Sequence, residues 1–157
     1  MAQLNRYSFG ATSAIVTSLA FIVGLSRSAN PKPTIIGSLL VIAVADNISD
    51  SLGIHVYQES QLLNYKVIRA STFSNFLTRF LVILIFMLLI AFLQISYAVI
   101  FSIVYGITLL STLSYFIAKE QKVNPYRAIL QHVIITVLVV TVSNFLGEWI
   151  INIFGKT

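Results

Sequence analysis

The chain reads as an all-α polytopic membrane protein of five transmembrane helices with its N-terminus in the cytoplasm, a single transmembrane domain over residues 1–157. Three observations lead there. Apolar residues make up 57% of the chain against 10% charged, with a mean hydropathy of +0.90, far from the balance of soluble domains. The apolar residues fall into runs of about 20, the length that crosses a hydrocarbon core of roughly 30 Å. Basic residues are unequally divided between the two sets of loops.

The spans follow in order at about 7–25, 34–57, 78–95, 98–118 and 128–153. The first holds Gly10 and Ala14, then Ala20 and Gly24, at the spacing that lets helix backbones approach closely. Its serines and threonines, and the lack of a clear cleavage site, argue for a mature helix over a signal peptide. Pro31 and Pro33 end the first hairpin loop and launch the second span. A polar stretch, Gln58 to Asn75, reads as the second loop. The 39 uncharged residues from Phe80 to Ala118 are too long for one span and suit two, joined by a tight turn near Gln94 to Tyr97. The fifth span follows a loop containing Pro125.

Five spans put the N-terminus and the loops after spans two and four on one side. That side holds Arg6, Lys66, Arg69, Arg79, Lys119, Lys122 and Arg127, against Arg27, Lys32 and Lys156 opposite. Seven against three places the N-terminus inside, in a multi-pass protein of the cell membrane. The same bias accounts for the formal charge of +5, and loops this short offer no nucleic-acid surface. With no cysteine there is neither a disulfide nor a thiolate ligand. No nucleophile elbow, HExxH or phosphate-binding glycine loop occurs, so no enzyme and no resident cofactor is expected.

Asp46 and Asp50 are the candidate site. Four residues apart in the second span, they share one helix face. Each charge at the bilayer centre costs about 2.5 to 3.5 kcal/mol, so the pair requires a wet cavity, a bound cation or a partner cation. Asn47 and Ser49 lie beside them and Gly53 continues their face. A hydrogen-bonded, purely structural role is the alternative. His55 points away from the pair and reads as a satisfied interfacial histidine, or with His132 and Glu59 as a metal site. Glu148 beside Trp149 reads as an interface anchor.

The residues from Phe9 to Gly24 resemble the first helix of the vacuolar iron transporter family, with Gly10, Ala11, Ile15, Val16, Thr17, Ala20 and Gly24 in agreement. Ala45 and Asp50 match that family's second helix. The resemblance covers about the first 60 residues. It implies a dimer exchanging a divalent cation, Fe(II) or Mn(II), for protons, with the metal ligands among Asp46, Asp50, Asn47, Ser13 and Thr17. The family's first-helix aspartate falls on Ser13 and its methionine on Ile54, while Asp46 replaces an asparagine. A carboxylate moved from one helix to the next is the expected reason. The loop after span two carries one acid, Glu59, and therefore no glutamate-rich extension. The expected function is proton-coupled export of a divalent metal from the cytoplasm. The alternatives are a non-transporting scaffold or partner subunit, and a proton-coupled transporter of another substrate.

Overall fold

A computed structural model describes the backbone of residues 4–154 and the side chains of residues 8–154. Arg6's side chain and Lys156, both used in the charge count, lie outside the described residues. The described chain is helical: α1 (Leu4–Leu25), α2 (Pro31–Val41), a π turn (Ile42–Asp46), α3 (Asn47–Ser60), α4 (Tyr65–Phe92), α5 (Ile95–Glu120) and α6 (Pro125–Phe154). The second span is α2, the π turn and α3 run together, so five continuous helices are long and apolar enough to cross a membrane.

Helix α1 is the hub. Ala14, Ile15, Leu19 and Ile22 are fully buried, and α4, α6, α5 and α2 all pack on it. Its small residues serve these contacts inside the chain. A Cβ on Gly10 would lie 2.5 Å from Asn75 Oδ1, and one on Gly147 of α6 would run into the Gly24 carbonyl. Gly106 of α5 receives the Leu19 side chain in the same way. The close approach that this spacing permits is made inside the chain, to α4 and α6. By contrast α6 buries only Thr136 among its described residues, and its remaining apolar surface is free to face lipid.

The largest departure from the sequence reading concerns residues 58–75. Only Gln61 to Asn64 form the connection, and helix resumes at Tyr65. Asn64 caps it, its side chain accepting the Lys66 N–H at 3.0 Å, and Leu62 takes φ 54° in the turn. Polar composition masked this start because Ile68, Ser71 and Asn75 form a buried stripe at helical spacing, packed toward α1 and α3. Arg79 continues that stripe and is buried mid-helix. Its place in the cytoplasmic count is corrected, leaving six basic residues against three.

The π turn has a reason in the pattern. Ile35, Leu39, Ala43, Asn47 and Ser51 are all buried, one every fourth residue. In a regular α-helix each step of four overshoots a full turn by about 40°. A wider turn takes up an extra residue and returns Asn47 and Ser51 to the face that meets α4.

Candidate functional site

The site grows from that stripe. Arg79, only 2% exposed, extends from α4 between α1 and α3. Its Nη2 donates to Asp46 Oδ2 and its Nη1 to Asp50 Oδ2. Nη1 also donates to Ser13 Oγ at 2.8 Å. One guanidinium thus ties three helices together, and its fork is what lets a single side chain reach two carboxylates a turn apart. The cation that the two aspartates require is supplied by the chain itself.

All three helices contribute from near their midpoints. Asp46 is 15 residues past Pro31 and 14 before Ser60, and Arg79 is 14 past Tyr65 and 13 before Phe92. Ser13 is nine residues past Leu4 and 12 before Leu25. At 1.5 Å per residue Asp46 and Arg79 sit about 20 Å from either end of their helices, and Asp50 one turn nearer Ser60, within the depth of a bilayer interior. The π turn ends on Asp46, and such turns recur at functional sites.

A pocket of about 530 Å³ opens beside the aspartates. It runs from Asp46 and Asp50 past Gly53 to Tyr57, Gln58 and Phe9, toward the end of the bundle where α1 starts and α3 ends. Asp50 is largely covered, whereas the Asp46 side chain is 51% exposed. Each carboxylate meets Arg79 through Oδ2.

The structure sorts the expected residues. Asp46, Asp50 and Ser13 converge. Asn47 is fully buried, and its Nδ2 donates to Ala43 O at 3.3 Å and to Phe76 O at 2.9 Å instead of joining Arg79. One turn along α4, Asn75 Nδ2 donates to Ser51 Oγ at 3.2 Å. These two asparagines bind α3 to the stretch of α4 that leads to Arg79. Thr17, half-buried one turn beyond Ser13, makes none of the contacts to Arg79 or the carboxylates. Asn47 and Thr17 are thus not among the hydrogen-bond partners that gather Asp46, Asp50 and Ser13 around Arg79.

The histidines are satisfied. Thr72 Oγ1 donates to Ile68 O, so His55 Nδ1 is the donor in its 3.2 Å bond to Thr72. Ser114 Oγ donates to Leu110 O, so His132 Nδ1 donates to Ser114 at 2.7 Å. They lie at different helix interfaces, and no group of three His, Cys, Asp or Glu among the described residues is placed to hold a metal. Glu148 pairs with Arg27 at 3.2 Å, linking the end of α6 to the α1–α2 connection.

Arg79 is the residue that sequence reasoning missed. Its signal was the spacing Ser71, Asn75, Arg79, Ile83, which carries one polar face into an apolar one. Compared with protein-family models, with curated proteins and with solved structures, the chain finds no match in any of the three.

Proposed function

We propose that this protein is a secondary transporter that moves a cation across the membrane in exchange for protons. Asp46, Asp50 and Arg79 form its mid-membrane site, and the adjoining pocket is its access route. The observation that carries this reading is a charge cluster at the midpoints of its helices, connected by a pocket to one end of the bundle. A purely structural ion pair at that depth has no need of a cavity. Substrate sites at the bilayer midplane, beside an interrupted helix, are the arrangement that alternating access uses.

Charge arithmetic gives the exchange its logic. Two carboxylates and one guanidinium sum to one negative charge, so one proton or one further positive charge neutralises the cluster. Either partner then makes the cluster cheaper to carry through a low-dielectric interior. Arg79 keeps the unloaded site from holding two bare carboxylates. The six-against-three distribution of basic residues makes the pocket face the cytoplasm, which fits export. The resemblance points to Fe(II) or Mn(II), whereas the cluster's single net negative charge matches one monovalent cation.

We infer also that two copies work together. Asp46, Ser49 and Gly53 are exposed along the middle of the second span, where hydrocarbon cannot solvate a carboxylate. A second copy laid on this face would shield it.

One observation favours a second reading, a scaffold. Arg79 satisfies both aspartates and Ser13, which is what a structural tie between α1, α3 and α4 requires. The purified chain reconstituted in vesicles with a trapped pH dye separates the two. Cation-dependent proton movement that disappears in Asp50→Asn supports transport, and its absence from the unaltered protein leaves the scaffold.

A further inference from the structure

We infer that the pocket beside Asp46 and Asp50 is built for a monovalent organic cation, an ammonium or guanidinium bearing a ring or short chain. The inference rests on the transport reading and names its substrate class.

Size comes first. A bare ion with its ligands needs a cavity on the scale of a few waters of about 30 Å³ each. This groove, about 530 Å³ and open along one side, has room for a whole organic molecule. Its lining is of the matching kind. Phe9 and Tyr57 offer aromatic faces for a cation or an apolar ring, while Asp46 and Asp50 lie at the inner end. Gln58 is oriented by donating Nε2 to Ser71 Oγ at 2.8 Å, and its buried Oε1 has no partner. An orphan acceptor in the same pocket, two helical turns from Asp50, suits a ligand with several N–H donors.

Charge then selects valence. With Arg79 in place the site lacks one positive charge, so a monovalent cation leaves it neutral and a divalent ion leaves it positive at the bilayer centre. A divalent ion would have to evict Arg79, which is buried and bonded to both aspartates and to Ser13. An organic monocation can reach the half-exposed Asp46 carboxylate from the pocket while Arg79 stays in place. Arg79 itself displays the chemistry, since this carboxylate pair already holds one guanidinium.

Gly53 makes the test clean. It lines the pocket, and a Cβ built on it meets nothing within 4 Å. Gly53→Leu therefore fills the pocket without a clash inside the chain. The probe is phenylguanidinium, titrated calorimetrically into the full chain in mild detergent, with Mn(II) titrated in parallel. The expected result is one-to-one binding of phenylguanidinium, undisturbed by equal Mn(II), and weakened by about tenfold or more in Gly53→Leu at an unchanged melting temperature. Asp50→Asn should weaken it similarly. Failure of the folded protein to bind phenylguanidinium, displacement of it by equal Mn(II), or unchanged affinity in Gly53→Leu each overturns the inference. Mn(II) flux in vesicles without phenylguanidinium binding overturns the ligand class and leaves transport standing. Binding without any cation-dependent proton flux overturns transport and leaves the ligand class.

Discussion

Arg79 carries two opposite obligations. It must compensate Asp46 and Asp50, and it must itself be compensated, because a buried guanidinium without carboxylates is as costly as the reverse. Breaking such a set from one side costs about 3 to 5 kcal/mol, whereas replacing all its members together with neutral groups costs far less. Arg79→Leu is therefore expected to lower stability in detergent by that amount, read from denaturant unfolding. Adding Asp46→Asn and Asp50→Asn to it should recover most of the loss while abolishing transport. If the triple variant is less stable than Arg79→Leu alone, the charges are not coupled as described. Ser13 extends the argument. It already touches the guanidinium at 2.8 Å, so a carboxylate there meets the same partner. In Asp46→Asn, adding Ser13→Asp should restore both stability and proton-coupled flux; a double variant no better than Asp46→Asn ends the idea of a relocated acid.

Helix contacts depend on where the missing side chains are. Gly147 crosses α1 at Gly24 with backbone against backbone, so even a methyl group forces α6 away. Gly147→Ala is expected to destabilise by about 1 to 3 kcal/mol through overpacking, measured as a fall in melting temperature. Gly10→Ala meets the Asn75 amide at 2.5 Å and should disturb the α1–α4 contact in the same sense. Gly37 has open space around its Cβ position and sits in a helix, so Gly37→Ala should be neutral or stabilising by up to about 1 kcal/mol. A Gly147→Ala protein as stable as Gly37→Ala contradicts this packing. The π turn belongs to the same scale: removing one residue from Ile42–Asp46 would rotate Asp50 by about 100° and part it from Arg79.

Across the whole molecule, orientation and assembly are the open mechanical questions that experiment answers directly. The chain lacks cysteine, so single cysteines report one site at a time. Leu62, 92% exposed in the α3–α4 turn, marks the face expected inside, and the exposed Ala29 in the α1–α2 connection marks the other. An impermeant thiol reagent applied to intact cells should label Ala29→Cys and spare Leu62→Cys; the reverse pattern inverts the topology. For assembly, the small-residue stripe of α1 is occupied inside the chain, and the exposed Asp46 face is the one proposed for a two-fold contact. Ser49→Cys should then form a disulfide-linked dimer under mild oxidation, and a stable monomer of the unaltered chain in lipid would refute the pairing.

How much was legible beforehand differs between element and site. Helix number, the approximate spans and the two aspartates follow from the sequence alone, because hydropathy over about 20 residues is a local property and a charge within such a run is visible wherever the chain later folds. The start of α4 was hidden, since polar residues buried between helices look like loop residues until their partners are known. Only the tertiary structure decided that Arg79 answers Asp46 and Asp50, that Asn47 and Thr17 are not among its hydrogen-bond partners, and that Gly10 and Gly24 serve α4 and α6. Each depends on which helix face meets which neighbour, across separations of 29 to 66 residues in the case of Arg79. Periodicity within a helix specifies its faces. Which partner each face receives is set by packing the whole bundle, where one guanidinium must find its carboxylates or leave charge stranded in the membrane.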